Sequence, residues 1–154
     1  MKFRTPCFVR VEDTEKRKKL VEWLEGRMGY RYCVGCYNAR SAIDSPLIPY
    51  VLVSTRAETG FVECFVQRPD EGIDCGNNIQ LFKALAAMTD DRDDVNQWYV
   101  FAADYYFGEE DVYYHRGHVI SGIDMIYVFE DWRNALYYCR KATADEIIKH
   151  FKKS

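Results

Sequence analysis

The 154-residue chain lacks an excess of basic charge, and this absence makes a nucleic-acid partner less expected. It carries 21 Lys and Arg against 24 Asp and Glu, which gives a formal net charge of −3 at pH 7. Nucleic-acid-binding proteins neutralise phosphates with clustered Lys and Arg, and therefore usually present a net basic surface. The charge balance disfavours nucleic acid and makes another protein the expected partner.

Long apolar runs are also missing. A membrane-spanning helix needs about 20 consecutive apolar residues, and no stretch of this sequence approaches that length. The first residues, Met1 to Cys7, do not contain the apolar segment of a secretory signal. These two absences predict a cytoplasmic protein without a membrane partner, while the oligomeric state is left open.

The common catalytic motifs are absent as well. The sequence contains no Gly-x-Ser-x-Gly, no P-loop, no Gly-x-Gly-x-x-Gly and no His-Glu-x-x-His. Without such a motif no catalytic residue is assigned, and a non-catalytic role is expected. The six cysteines do not indicate disulfides, because disulfide frameworks belong to short secreted chains. We interpret them as reduced and mostly buried.

The sequence does contain a high share of apolar and aromatic residues, 48% and 16% respectively. Disordered chains are poor in aromatics, so this composition predicts a folded protein. A chain of this length can bury a core without disulfides or metals. We therefore expect one domain over residues 1–154.

The first third of the chain predicts a β-α-β unit. A strand over residues 7–11 leads into a helix that Asp13 or Thr14 caps and that Gly29 ends. Residues 30–37 predict a second strand, which completes the unit if the helix crosses over and the two strands run parallel.

The middle of the chain predicts a hairpin, a second helix and further strands. Two β-branched and aromatic runs, 50–55 and 61–66, form the hairpin. Asn77 or Asn78 caps the helix, whose buried stripe consists of Leu81, Phe82, Leu85 and Met88. Further strands are predicted over residues 98–103, 112–115 and 125–129.

The last segment predicts a strand that leads into a capped helix. Residues 136–140 form the strand, and Thr143 with Glu146 forms a capping box, in which each side chain accepts from the backbone of the other residue. Helices and strands are thus mixed without strict alternation. This pattern predicts an α+β fold, with a mostly antiparallel sheet, two or three helices packed on it, a β-α-β opening and a β-α ending.

Two segments carry a resemblance to known proteins. One is the opening strand with the helix that closes on Met28-Gly-Tyr30, and the other is the terminal segment from Arg140 to Phe151. In these two segments the chain resembles small uncharacterised proteins of phages and mobile elements. The resemblance implies an accessory, non-enzymatic role and brings with it no particular activity.

The candidate binding residues are four tyrosines with acidic neighbours. Tyrosine is frequent at the energetic centre of protein interfaces, and acidic neighbours would steer a basic partner. The sequence therefore predicts a binding module with an aromatic and acidic surface. The alternative is that alternate tyrosines face the core. The tyrosines are Tyr105, Tyr106, Tyr113 and Tyr114, and the acids are Asp104, Glu109, Glu110 and Asp111.

A zinc site is the main metal alternative. Cys33-Val-Gly-Cys36 and His115-Arg-Gly-His118 would together supply the Cys₂His₂ set of a tetrahedral structural site. The two pairs lie farther apart than in a zinc finger, and in a regular strand Cys33 and Cys36 would point to opposite faces. We therefore expect no cofactor, with zinc as the alternative. The corresponding alternative function is a small metal-dependent enzyme or a zinc-stabilised nucleic-acid-binding module.

Two acidic groups are further candidates for a divalent cation, because hard cations bind carboxylate oxygens. Their spacing does not match the calcium-binding loop of an EF-hand. We interpret both groups as solvated loops. The first consists of Asp90, Asp91, Asp93 and Asp94, and the second of Glu109, Glu110 and Asp111.

Overall fold

The structure is a computed structural model that describes residues 5–26, 28–32, 50–54, 61–65, 67–88, 96–107, 112–129 and 131–152. In these ranges the chain forms ten strands and five helices. Five of the seven strand pairings found there are antiparallel. The predicted α+β class with mostly antiparallel strands is confirmed, although the helices outnumber the predicted two or three.

The chain divides into two compact units, residues 1–91 and residues 92–154. Each unit has a sheet and helices of its own. The expectation of one domain over residues 1–154 stays a prediction, because a domain is also defined by whether it unfolds as one cooperative unit.

The first unit is built on a five-stranded sheet. Its strands are β1 (Cys7–Arg10), β2 (Arg31–Tyr32), β3 (Tyr50–Ser54), β4 (Phe61–Phe65) and β5 (Ile73–Asp74), in the order β2-β4-β3-β1-β5. β3 runs antiparallel to both β1 and β4, while β2 is parallel to β4. The predicted hairpin is therefore confirmed as β3 and β4. β1 and β2 are parallel, as a β-α-β opening requires, but two strands lie between them.

The two helices of the first unit begin where the sequence predicts. In α1 (Thr14–Gly26), the cap is Asp13, whose Oδ1 accepts from the Lys16 backbone N–H at 2.9 Å. Gly29 follows with φ 71°, a conformation that favours glycine. In α2 (Ile79–Ala86), the cap is Asn78, whose Oδ1 accepts from the Leu81 backbone N–H at 3.0 Å. The predicted stripe of α2 is buried, namely Leu81, Phe82, Leu85 and Met88.

The second unit contains a three-stranded sheet, a hairpin and three helices. In the sheet, β6 (Trp98–Phe101) lies between β9 (Val119–Ser121) and β10 (Cys139–Lys141), antiparallel to both. The hairpin pairs β7 (Tyr105–Phe107) with β8 (Val112–Tyr114). The helices are α3 (Gly122–Val128), α4 (Trp132–Tyr137) and α5 (Ala144–Lys152).

Two of the predicted strands are wrong. Most of residues 125–129 belong to α3, and the predicted strand over residues 136–140 begins inside α4 and becomes strand only at Cys139. Short apolar runs do not distinguish a strand from a helix by periodicity alone. Both helices have caps that decide the matter, because Ser121 Oγ accepts from the Asp124 N–H at 3.1 Å and Asp131 Oδ1 accepts from the Asn134 N–H at 3.3 Å.

The core of the second unit is largely aromatic. Its buried members are Tyr99, Phe101, Tyr105, Ile120, Met125, Phe129 and Ala135. The Phe101 ring lies at the centre, with ring centroids 4.9 Å from Tyr114 and 6.4 Å from Phe129. Because β6, the hairpin and Phe129, which follows α3, all contribute rings to this cluster, the hairpin is held by the core on one of its two faces.

Candidate functional site

The hairpin divides the four candidate tyrosines between two faces. Tyr105 lies opposite Tyr114, and Tyr106 lies opposite Tyr113. Because side chains alternate along a strand, the first pair faces one side of the hairpin and the second pair faces the other. Tyr105 is 8% exposed and Tyr114 packs against the core, whereas Tyr106 and Tyr113 are 59% and 50% exposed. The structure therefore brings the second pair together at the surface.

The inner pair anchors the hairpin. The Tyr105 ring lies 5.6 Å from Phe129 and 5.0 Å from Tyr138, measured between ring centroids. The Tyr114 ring stacks on Phe101 with an interplanar angle of 9°. Burial raises the pKa of Tyr105 above its ordinary value. These contacts fix the orientation of the hairpin within the second unit, and with it the position of the outer pair.

The outer pair forms a surface with two charged or titratable neighbours. The ring centroids of Tyr106 and Tyr113 lie 6.4 Å apart, and His115 lies 4.7 Å from Tyr113. The Tyr113 hydroxyl donates to the Asp104 carboxylate, and burial followed by this acidic neighbour raises the pKa of Tyr113. We call Asp104, Tyr106, Tyr113 and His115 the tyrosine surface.

Asp104 is ionised at the edge of this surface. The Arg116 backbone N–H donates to its Oδ1 at 2.8 Å, and this bond, followed by the Tyr113 hydroxyl, lowers the pKa of the carboxyl. The other predicted acids, Glu109, Glu110 and Asp111, lie outside the described residues, as do those at 90–94.

A second exposed apolar surface was not predicted from the sequence. The described residues include seven exposed large hydrophobic side chains, and all seven belong to the second unit: Tyr106, Tyr113, Ile123, Ile126, Tyr127, Tyr137 and Tyr138. On α3, Ile123, Ile126 and Tyr127 share one face by their helical spacing. We call these three the helix surface. Because residues 125–129 were interpreted as a strand, the spacing that relates them was missed.

The two candidate histidines lie at the ends of one tight turn. The His118 backbone N–H donates to the His115 carbonyl at 3.1 Å, and Gly117 has φ 92°, which the third position of a type II turn requires. Their side chains contact opposite faces of the hairpin, because His115 lies against Tyr113 and His118 lies 4.8 Å from Tyr114.

The zinc alternative stays a prediction. Cys33 and Cys36 lie outside the described residues. Within the described ranges, no group of three or more His, Cys, Asp or Glu is arranged to hold a metal ion. The described cysteines are free thiols: Cys7, Cys64, Cys75 and Cys139. Burial raises the pKa of Cys64 and of Cys139 to about 11, so both are neutral at physiological pH.

His118 also lines a cleft that the sequence did not reveal. The cleft has a volume of about 340 Å³ and is lined by Gly117, His118, Val119, Glu146, Lys149 and His150. We call it the histidine cleft. His150 lies near the C-terminal end of α5, far from His118 in the sequence. Its distance from His118 along the chain left no local signal that the two residues share a cleft.

On the helix side of the cleft, Glu146 belongs to the predicted capping box with Thr143. This capping box is confirmed. The Thr143 N–H donates to Glu146 Oε1 at 3.0 Å, and the Glu146 N–H donates to Thr143 Oγ1 at 3.3 Å. Arg140 donates to both carboxylate oxygens of Glu146, at 2.7 and 2.8 Å. This ion pair, followed by the bonds from Thr143, lowers the pKa of Glu146 to about 2. Glu146 is therefore a fixed, paired carboxylate in the wall of the cleft.

Comparison with known proteins gives no match: the chain matches no protein-family model, no curated protein and no solved structure. In the described ranges, no helix has the length and apolar character needed to cross a membrane. A fold class does not define a function, so function is argued from the side chains of the sites themselves.

Proposed function

We propose that this chain is a cytoplasmic, non-catalytic accessory module that binds a partner protein through the tyrosine surface. The observation that carries the proposal is the exposed pair Tyr106 and Tyr113, on a hairpin whose opposite face is fixed in an aromatic core. An exposed aromatic pair of this kind has no role in packing the core of its own unit, since its neighbours across the strand, Tyr105 and Tyr114, already supply that packing.

The tyrosine surface has the physical features of an interface centre. Each aromatic side chain removes a large area from water when a partner covers it. The rings are already ordered, because Tyr113 is bonded to Asp104 and packed beside His115. Little side-chain entropy is therefore lost on binding, and ordering a flexible side chain at an interface otherwise costs about 0.5–1.5 kcal/mol.

The charges near the surface favour a basic partner. Asp104 stays ionised because its pKa is lowered. The segment that joins the two strands of the hairpin contains Glu109, Glu110 and Asp111 in the sequence, and the whole chain has a net charge of −3. Complementary charge of this kind raises the association rate and selects the partner more than it raises the affinity. We expect a partner segment with apolar side chains flanked by Lys or Arg.

A pair of double variants tests the proposal. Tyr106→Ser with Tyr113→Ser removes the tyrosine surface, and Ile126→Ser with Tyr127→Ser removes a similar apolar area from the helix surface of the same unit. Partners are captured from an extract of the source cells with each variant, and the affinity of the purified partner is then measured by titration calorimetry. The first variant should weaken binding by about a hundredfold or more, because two hot-spot residues are lost. The second variant should bind like the wild type.

Two results would contradict the proposal. One is a partner that binds the Tyr106→Ser and Tyr113→Ser variant with the wild-type affinity. The other is a partner lost only with the Ile126→Ser and Tyr127→Ser variant, which would move the interface to α3. Association that is equally fast at low and at high salt would remove the expected role of the acidic neighbours.

A further inference from the structure

We propose that the histidine cleft binds the phosphate group of a small phosphorylated molecule. The cleft lies at a place where two parts of the second unit meet, the turn that ends at His118 and the helix α5 that carries Glu146, Lys149 and His150. This site is separate from the tyrosine surface, because His118 lies on the Tyr114 side of the hairpin.

Three side chains with nitrogen donors line the cleft. The His118 imidazole comes from the turn, and Lys149 and His150 come from the last turns of α5. Lysine supplies three N–H donors and no acceptor, and each protonated imidazole supplies two donors. Charge-assisted bonds from such groups to phosphate oxygens are about twice as strong as neutral hydrogen bonds. The donor set thus matches the acceptor oxygens of an oxyanion.

The carboxylate in the wall does not cancel this positive charge. Arg140 donates to both oxygens of Glu146, so that pair is neutral taken together. Gly117 lines both the cleft and a second cavity of about 140 Å³, whose charged lining residues are Arg116 and Arg140. The charged side chains that line the two cavities therefore comprise one acid and five groups that are, or can become, cationic: Arg116, His118, Arg140, Lys149 and His150.

The two imidazoles are positioned before any ligand arrives. His118 lies 4.8 Å from the Tyr114 ring and 6.4 Å from the Phe101 ring, between centroids. His150 lies 5.1 Å from Trp98 and 5.5 Å from Phe151. Donors whose orientation is already fixed lose little entropy when they bind a ligand.

The volume of the cleft indicates a ligand larger than a bare phosphate ion. Pockets for small molecules generally begin at about 300 Å³, and the cleft has about 340 Å³. The Gly117 position also leaves open space where a side chain would otherwise project, since no atom lies within 4 Å of the place of a Cβ. The cleft can therefore accommodate a phosphate together with part of the molecule that carries it.

Binding should take up a proton. Partial burial, followed by the nearby His150, lowers the pKa of His118 below its ordinary value, so this imidazole is neutral at physiological pH. An oxyanion bound among His118, His150, Lys149 and the Arg140–Glu146 pair is negatively charged, and it therefore favours the protonated form of the His118 imidazole. The affinity should therefore rise as the pH falls, and a bound oxyanion should raise the pKa of His118.

Sulfate is the probe for the pH dependence, because it stays a dianion while phosphate itself titrates. Sulfate is added at constant ionic strength, and the ring proton signals of the three histidines are followed by NMR. His118 and His150 should shift and saturate together, whereas His115 should not, because it lies at the other end of the turn and does not line the cleft. The dissociation constant should fall as the pH is lowered from about 7.5 to about 5.5.

Matched variants locate the site. His118→Gln and Lys149→Gln should each weaken sulfate binding about tenfold, because each removes one charge-assisted donor. The controls His115→Gln and Lys152→Gln change the same residue types on the same turn and helix, outside the cleft, and should bind like the wild type. All four positions are exposed, so the variants should fold, and the circular dichroism spectrum checks this.

The source of the phosphate is distinguished with three probes, namely inorganic phosphate, adenosine monophosphate and adenosine. Tighter binding of the monophosphate than of phosphate supports the proposal, whereas equal binding of the two assigns the site to free phosphate and overturns the assignment to a phosphorylated molecule. The proposal is overturned if adenosine binds as tightly as its monophosphate. It is also overturned if all three histidine signals drift together without saturation, if the four variants behave alike, or if the affinity is the same at both ends of the pH range.

Discussion

The two units of this chain differ in how far their large apolar side chains are exposed to solvent. In the described part of the first unit, residues such as Phe8, Leu24 and Phe82 are at most 2% exposed, and no large hydrophobic side chain there is among the exposed ones. Among the described residues of the second unit, seven such side chains are exposed, including Tyr127 and Tyr137 at 85% each. Contiguous apolar area at a surface indicates an interaction site. This difference supports the proposal that the binding surface lies in the second unit.

The interiors of the two units also differ in chemistry. The first unit buries mostly aliphatic side chains, such as Val9, Val51 and Val53. It also buries Arg17 of α1, whose Nη1 donates to the Val11 carbonyl at 2.7 Å. The second unit fills its core with rings of Phe101, Tyr105 and neighbouring aromatics. A short segment has few residues with which to build a core, and large rings bury more area for each residue.

The largest expected effect comes from removing a core ring in either unit. Phe82→Ala in the first unit and Phe101→Ala in the second should each lower the free energy of unfolding by about 3–5 kcal/mol, because both rings are fully buried. Urea denaturation followed by fluorescence and by circular dichroism measures this loss. If the chain is one domain, both variants shift one common transition. Two separate transitions, each shifted by only one variant, would contradict the single-domain prediction.

Helix caps should have a smaller effect that is similar in the two units. Asn78→Ala removes the cap of α2, and Thr143→Ala removes the cap of α5. Each should cost about 1 kcal/mol in the free energy of unfolding, because a backbone N–H loses its acceptor. Thr143→Ser keeps the hydroxyl and is the control, which should stay close to the wild type. A cap effect in only one unit would show that the other helix is held by packing alone.

The tyrosine surface should matter for binding far more than for folding. The double variant Tyr106→Ser and Tyr113→Ser should lower the free energy of unfolding by less than about 1 kcal/mol, since the cross-strand ring contact and the contacts of Tyr113 with Asp104 and His115 all lie at the surface. Thermal denaturation checks this expectation. Tyr105→Ser, on the opposite face, should be much more destabilising because its ring is buried. Equal losses for the two faces would contradict the division of the hairpin into an anchored and an exposed side.

The smallest expected effect is a loss of folding stability at low pH. The pKa of Glu146 is lowered to about 2 by Arg140 and then by Thr143, below its value in the unfolded chain of about 4.3. Its stabilising contribution is therefore complete above about pH 4.5 and is lost as the pH falls towards 2. The Arg140 and Glu146 side chains are 52% and 28% exposed, so solvent screens the ion pair and its contribution should be below about 1 kcal/mol. Glu146→Gln should flatten the pH dependence of stability in this range. The control Asp145→Asn keeps Glu146 and its ion pair, so its pH dependence should be steeper than that of Glu146→Gln.

Several local features could be predicted because they depend on neighbouring residues alone. The caps at Asp13 and Asn78, the capping box of Thr143 with Glu146, and the hairpin of β3 and β4 are all confirmed. In each case a side chain and a backbone group a few residues apart satisfy one another, or two β-branched runs pair across a short connection. Such interactions are encoded within a short stretch of the chain.

The residues around α3 and α4 show where local information ends. The run from Met125 to Phe129 satisfies both a strand pattern and a helix pattern, and packing of Met125 and Phe129 into the aromatic core selects the helix. The sequence likewise left two roles open for each tyrosine of the hairpin, namely packing in the core or exposure on a binding surface. The strand alternation divides them into pairs, but only the position of the core determines that Tyr105 is buried and Tyr106 exposed.

The sequence by itself therefore determined the α+β class, the caps of α1, α2 and α5, and the set of residues from which a binding surface could be built. The tertiary structure decided which members of that set meet. Tyr106 and Tyr113 form one surface because two strands pair, and His118 and His150 share a cleft because a turn and a helix distant in the chain pack together. The reason is physical: backbone hydrogen bonds and caps act over short distances along the chain, whereas burial of apolar area depends on every element that reaches the core.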